Sequence, residues 1–279
     1  KPLNVHGIDV INGASSPLVE IVADEVDATG DYRFNFDIQH SFQPTTVLIQ
    51  SVNAADVRLN GAILNPIGTT TVSAAGGSIV KASPSALIQT RRLTLLDDAG
   101  SVGSAASRVR VELVQSDAGP IAATADVAGD LYLDITSTLR AAIASPFTID
   151  LASLHAGNDI DLKINDSRLE TGTAMAGGVR VTVQPEGSDA SYEAHFRPDT
   201  AGGSSPEHGA FGSSPTPIAS TYRFDDIAAG RNIIVQHAST ATTVTFVANT
   251  DVDASLTIAR TGQTSSTRDG IGRVDMLTN

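Results

Sequence analysis

The sequence predicts an all-β chain built as a solenoid, a stack of short coils carrying two or three strands each. Three observations predict it. Aromatics make up 4% of the 279 residues, Trp is absent, Gly numbers 24 and charged residues are 18%. That composition suits a thin core of Val, Ile, Leu and Ala between tight corners, and argues against a helical bundle. Second, apolar residues alternate with a period of 2 in short runs: Val57-Arg58-Leu59, Thr71-Val72, Ser78-Ile79-Val80, Leu93-Thr94-Leu95 and Val109 to Leu113. A period of 2 places alternate side chains on opposite faces of a strand, whereas a helix needs 3.6. Third, small-residue corners precede the strands at a spacing of roughly 22 to 24 residues, within the range of solenoid repeats.

The corners share a form, Ala-Gly followed within a residue or two by Asp or Asn. Ala128-Gly129-Asp130 precedes Leu131 to Ile135, and Ala156-Gly157-Asn158-Asp159 precedes Ile160 to Ile164. Ala229-Gly230-Arg231-Asn232 precedes Ile233-Ile234-Val235, and looser versions stand at 53–56, 74–77 and 98–100. Gly permits a sharp corner, and Asp or Asn bonds neighbouring backbone there. One coil cannot bury its apolar face alone, so coils stack and each strand pairs with its counterparts above and below. Leu139 to Ile143 is the one piece that fits a helical turn.

The chain divides into four stretches on this reading. Residues 1–52 form a less regular N-terminal β region or variant coils, with strands expected near Val5 to Ile11, Leu18 to Val22, Tyr32 to Ile38 and Thr45 to Val52. Regular coils follow over 53–183. Residues 184–221 form an irregular loop insertion, rich in Pro, Gly and Ser, where the alternation is lost. Further coils occupy 222–279. The last residues, Arg273 to Asn279, read as part of a strand, and neither end carries a recognisable cap. The expectation is a segment of a longer polypeptide.

The stretch Asp56-Val57-Arg58-Leu59-Asn60-Gly61-Ala62-Ile63-Leu64-Asn65-Pro66-Ile67-Gly68-Thr69-Thr70-Thr71-Val72, with Gly76-Gly77-Ser78-Ile79 after it, resembles the coils of filamentous-haemagglutinin-like exoproteins. So does Leu87-Ile88-Gln89-Thr90 leading to Leu93-Thr94-Leu95 and Ala99-Gly100-Ser101-Val102-Gly103. The likeness is good over 53–135, fair over 150–184 and 225–279, and poor over 1–45. It implies a right-handed parallel β-helix with irregular loop insertions. It further implies a giant secreted or surface-attached bacterial protein, serving as adhesin, biofilm scaffold or stalk. The partners so implied are neighbouring segments of the same chain or fibre, and a surface glycan or a receptor on a host or neighbouring cell. The likeness is one of coil pattern and carries no chemical motif.

Charge and composition exclude several classes. The net charge is −13, which repels phosphate backbones and argues against nucleic acid as a partner. No run approaches the roughly 18 apolar residues of a membrane span. Cys is absent, which removes disulfides, thiolate metal sites and Cys nucleophiles. No G-x-S-x-G, H-E-x-x-H, phosphate-loop or dinucleotide fingerprint is present.

Candidate contact residues concentrate in the insertion: Tyr192, Glu193, His195, Arg197 and His208. The run from Tyr192 to Arg197 reads as a short strand, with Glu193, His195 and Arg197 on one face. Tyr stacking with Arg and His donors would suit a glycan. A surface loop covering the side of the solenoid is the plainer account of the same residues. His195 and His208 match no established zinc spacing. Asp24, Asp27, Asp31 and Asp37, or Asp159, Asp161 and Asp166, raise Ca²⁺, but no EF-hand loop accompanies them. No catalytic residue and no cofactor is expected. The rival reading is a β-helical polysaccharide lyase or hydrolase acting on acidic glycans, which needs carboxylates and a basic side chain gathered in one groove.

Overall fold

A computed structural model describes the chain with its side chains over 46–51, 55–115, 120–139, 147–169 and 217–237, Ile67 excepted. It describes the backbone alone in further strands over 3–10, 17–23, 33–38, 179–185, 192–196, 244–248, 255–260, 266–268 and 273–274, and at Thr216. Every regular element among these residues is a strand. The all-β expectation holds, and the strands join one mixed sheet.

Most pairing is parallel and falls into three ladders. The first runs from Leu3–Val10 through Val57–Leu59 to Ile79–Lys81, crosses single bridges at Val102, and continues through Leu131–Leu139, Ile160–Ile164, Asn232–His237 and Ser255–Arg260. The second also starts at Leu3–Val10. It passes residues 62–65 of Ala62–Ala74, residues 87–90 of Leu87–Asp97, Val109–Gln115, Leu131–Leu139 and Ser167–Leu169. The third runs Pro17–Ala23, Thr46–Ser51, residues 69–74, residues 92–97, Ile121–Val127 and Thr148–Ala156. Beyond these come Ser220–Phe224 with Ile227–Ala229, and then Val244–Ala248.

Register puts like on like. In the first ladder Val57, Ile79, Val102, Leu131, Ile160 and Ile233 stack in one fully buried column. Ile49, Val72, Leu95, Ala125, Leu154 and Ile227 do the same in the third. Each fully buried Val, Leu or Ile contributes about 1.5–3 kcal/mol. Aliphatic columns fill a narrow interior without large rings, which accounts for the few aromatics. Phe147, Tyr222 and Phe224 are the aromatic side chains buried among the described residues.

The strand Ala62–Ala74 serves two ladders by bending. Its pairing with Leu87–Asp97 shifts between Asn65 and Thr69, and Pro66, which has no N–H to give a ladder, lies in that gap. The bend turns polar groups inward, and they bond one another. Asn65 Nδ2 donates to the Thr69 carbonyl at 3.0 Å, Thr70 Oγ1 donates to Thr90 Oγ1 at 3.0 Å, and Thr90 Oγ1 donates to the Arg92 carbonyl at 2.9 Å. A second buried polar set lies further along, where Tyr222 OH donates to Ser137 Oγ at 3.0 Å and Ser137 lies 2.6 Å from Ser167.

The corners form a column of their own. A Cβ on Gly77 would fall 2.3 Å from the Ala55 carbonyl, and one on Gly100 would fall 2.1 Å from the Gly77 carbonyl oxygen. Gly129 over Gly100, Gly157 over Ala128 and Gly230 over Gly157 repeat this approach at 2.4, 2.0 and 2.1 Å. No side chain fits there. The polar residue that follows caps the next corner. Asp56 Oδ1 accepts from Ser78 N at 2.9 Å, Ser78 Oγ from Ser101 N at 3.2 Å, and Ser101 Oγ from Asp130 N at 2.9 Å. Asp130 Oδ1 then accepts from Asp159 N at 3.1 Å, and Asp159 Oδ1 from Asn232 N at 3.2 Å. The steps are 22, 23, 29, 29 and 73 residues. The sequence period of 22 to 24 therefore describes only the first two, and the later steps are longer.

Asp97, just before the corner at 98–100, turns inward. Its side chain faces the interior at 2% exposure and accepts from Gly100 N at 2.6 Å and Ala99 N at 3.2 Å. Burial, with Asp98 adding to it, raises its pKa above 3.8 against those two backbone donors.

Reversed strands meet the outer strands of the ladders, which differs from the expectation that every strand pairs in parallel and that the ends are uncapped. Arg33–Ile38 lies antiparallel on Pro17–Ala23, and Val179–Pro185 on Leu3–Val10. Thr216–Ile218 lies antiparallel on Ser167–Leu169, Ser266–Arg268 on Ser255–Arg260, and Arg273–Val274 on Val244–Ala248. An unpaired edge invites pairing with other chains, and a reversed strand occupies it at these places. The expected helical turn at Leu139 to Ile143 is a strand end at Leu139, and its remaining residues lie outside those described.

Candidate functional site

The sequence-derived contact residues fall at the margin of what is described. Tyr192, Glu193 and His195 belong to the strand Tyr192–Phe196, which pairs antiparallel with Val179–Pro185 and sets Tyr192 opposite Val183, Glu193 opposite Thr182 and His195 opposite Arg180. The short strand expected there is present. Arg197 and His208 lie outside the described residues, as do Asp24, Asp27 and Asp31.

Two members of the acidic run 159–166, Asp159 and Asp161, lie against arginines. Asp159 Oδ2 lies 2.9 Å from Arg231 Nη2, which also lies 3.1 Å from Asp130 Oδ1. Asp161 accepts from Arg108 Nη2 at 2.5 Å. Arg108 comes from the loop before Val109–Gln115 and reaches past the intervening coil, since Tyr132 is the register partner of Asp161. Among the described residues no group of three or more His, Asp or Glu side chains is arranged to hold a metal.

The outer side of the second ladder holds a concavity of about 210 Å³. Its polar lining is Arg110, Glu112, Asp134, Thr136, Asn165 and Arg168. These residues lie far apart in sequence, and register assembles them: Arg110 pairs with Asp134, Glu112 with Thr136, and Thr138 with Arg168. Period 2 then turns Arg110, Glu112, Asp134 and Thr136 outward while Val111 and Ile135 are buried between them.

Both carboxylates are held by neighbours. Glu112 Oε2 accepts from Gln89 Nε2 at 2.9 Å, and Glu112 Oε1 accepts from Thr138 Oγ1 at 2.5 Å. Asp134 Oδ1 accepts from Asn165 Nδ2, and Lys163 Nζ stands 3.6 Å from Asp134 Oδ2. Asn165 is itself fixed by its Nδ2 donating to the Ile135 carbonyl at 3.1 Å. The guanidinium groups are less committed. Arg110 Nη1 donates to the Pro84 carbonyl at 3.2 Å, and Arg168 has no side-chain partner among the described residues. Both are exposed.

A general acid or base needs a carboxyl oxygen within reach of the substrate, and each oxygen of Glu112 already accepts a bond. A free guanidinium offers a planar fork of donors that matches a carboxylate or sulfate.

Sequence alone gives Arg110, Glu112, Asp134 and Arg168 no role. Its one usable signal was phase. Outward positions of neighbouring coils converge, but the loop at 103–108 and the lengthened fourth coil hide which positions align.

A second concavity of about 390 Å³ lies at the corner end of the third ladder, between Leu96, Asp98 and Asp126. Asp98 Oδ1 is occupied by Gly76 N at 2.7 Å. Around it the outer face is a column of Thr71, Thr94, Thr124 and Ser153, in which Thr124 Oγ1 donates to Thr94 Oγ1 at 3.2 Å.

Compared with family models, curated proteins and solved structures, the chain matches none.

Proposed function

We propose that this chain is a stretch of a right-handed parallel β-helix, and that it serves as a non-enzymatic structural and adhesive segment of a secreted or bacterial surface-attached fibre protein. The observation that carries the proposal is the corner column, in which Gly77, Gly100, Gly129, Gly157 and Gly230 repeat one close approach while the parallel ladders pass through the same coils. Parallel strands joined by crossovers are right-handed in nearly all known cases, which supports the handedness. The resemblance to filamentous-haemagglutinin-like coils supports the location and the adhesive role.

On this reading the work is mechanical. Continuous backbone pairing makes a stiff spacer, and side loops, including 184–221, supply contacts to a surface glycan or receptor. Residues 1–52 are an N-terminal β region or variant coils of the same stack. No residue is catalytic and no cofactor is required.

Negative-stain electron microscopy with small-angle scattering tests the proposal. Purified chain should give short rods whose cross-section stays constant along their length. Compact, near-spherical particles would sink it.

A second reading is favoured by one observation: Glu112 and Asp134 share a concavity with Arg110 and Arg168. That gathering is what a lyase or hydrolase of acidic polysaccharides requires. Incubation with polygalacturonate and alginate, followed by reducing-end and 235 nm absorbance assays, separates the two. Release of unsaturated or reducing fragments that Glu112→Gln abolishes would favour the enzyme.

A further inference from the structure

We propose that the concavity between Arg110 and Arg168 binds one anionic sugar residue and holds it without cleaving it. The inference rests on the adhesive half of the reading above and gives it a further place, on the second ladder, and a ligand class.

The argument starts from charge. The chain as a whole is strongly acidic, at −13, so an anion is repelled from most of its surface. In this concavity Arg110 and Arg168 offset Glu112 and Asp134, and Lys163 stands beside Asp134, so the local balance is not acidic. Glu112 is capped by Gln89 and Thr138, and Asp134 by Asn165 and Lys163. Arg168 has no competing partner among the described residues, and Arg110 gives one Nη to a carbonyl. The next step is position. Arg110 stands on Val109–Gln115 and Arg168 on Ser167–Leu169, two strands separated by the Leu131–Leu139 strand that carries Asp134 and Thr136. The guanidinium groups thus border a floor of acceptors and a hydroxyl.

That pattern names the ligand class. Guanidinium forks take a carboxylate or a sulfate. The remaining carboxylate lone pairs and the Thr136 hydroxyl take sugar hydroxyls. A cavity of about 210 Å³ is smaller than the usual pocket for a drug-sized ligand, and fits a single ring better than an oligosaccharide. Neighbouring side chains hold both carboxylates in place, which suits them to position a sugar hydroxyl.

The test uses the whole chain, ¹⁵N-labelled, titrated separately with glucuronate, glucose 6-sulfate, glucose and inorganic sulfate and followed by NMR. Saturable shifts are expected with glucuronate or glucose 6-sulfate, centred on Arg110, Asp134 and Arg168, and whichever binds tighter identifies the anion. Glucose and inorganic sulfate should each bind at least tenfold more weakly. Arg168→Ala should weaken the charged sugar tenfold or more, and Arg168→Lys should restore only part of it because a lysine lacks the fork. Unchanged melting of both variants keeps the comparison clean. Were glucose to bind as well as glucuronate, or inorganic sulfate as well as either charged sugar, or none to bind, the inference fails. So it does if Arg110→Ala and Arg168→Ala both leave affinity unchanged. A rod that binds no sugar leaves the shape reading standing, and a compact particle that binds one leaves this inference standing, so the two fail separately.

Discussion

A Cβ placed on Gly100 would lie 2.1 Å from the carbonyl oxygen of Gly77, one coil away. Real Cβ atoms do not approach a backbone oxygen so closely, so any side chain at this corner must push two coils apart. Gly100→Ala is expected to destabilise by about 1–3 kcal/mol through overpacking, read as a lower urea midpoint. Gly129→Ala, whose Cβ would meet Gly100 at 2.4 Å, should behave alike. If both variants unfold with wild-type midpoints, the corners do not stack as described.

Asp97 invites an unusual expectation. Burial raises its pKa above 3.8 in the folded chain, so the folded state disfavours its charge. The contribution is favourable below the unfolded pKa and is lost as pH rises through the folded one. Asp97→Asn removes the charge and keeps an oxygen for Gly100 N and Ala99 N. At pH 7 the variant should be at least as stable as the parent, and its advantage should shrink as the pH is lowered through the titration of Asp97. Urea unfolding at several pH values checks this.

Tyr222 is fully buried, and burial pushes its pKa from 10 up to about 12, against the bond to Ser137. Below pH 10 the folded and unfolded chains hold the same proton. Between pH 10 and about 12 the unfolded chain ionises first, so stability falls across that window. Absorbance titration at 295 nm should show one tyrosine that ionises only with unfolding, and Tyr222→Phe should remove it. The substitution itself should cost about 1 kcal/mol for one lost hydrogen bond.

Arg231 bridges the stacked carboxylates of Asp130 and Asp159, with its side chain 56% exposed. Solvent screens such a pair, so Arg231→Ala should cost less than about 1 kcal/mol. The variant leaves two acidic groups one coil apart. Its deficit should therefore grow at low salt and fade at high salt, a trend visible in thermal melts across ionic strength.

Much of the architecture was legible because it is local. Ile160–Ile164 and the core of Leu131–Leu139 follow from alternation alone, and the Gly129 and Gly157 corners from Ala-Gly followed within two residues by Asp. What stayed hidden is non-local. Alternation around Thr71 does not reveal that one strand runs unbroken from Ala62 to Ala74 through Pro66. Nothing near Pro17–Ala23 or Ser255–Arg260 announces that a reversed strand will pair there. Asp97 has the composition of a turn residue, yet its phase in the third ladder, in register with Ala74 and Val127, sends it inside. The site was hidden for the same reason. Arg110, Asp134 and Arg168 meet through register across coils of unequal length, and no window of sequence contains them together.

The reach of Arg108 to Asp161, 53 residues on, has a bearing on how such a stack yields to tension. Strips in which each turn grips only the adjacent turns peel like tape, one turn per step, from whichever end is pulled. Arg108 acts as a stitch across an intervening turn. Peeling that arrives from the C-terminal side must undo this stitch before the turn holding Asp161 can leave. The turns between Arg108 and Asp161 are therefore tied into one block, and the stack resists tearing most where its side faces carry such threads.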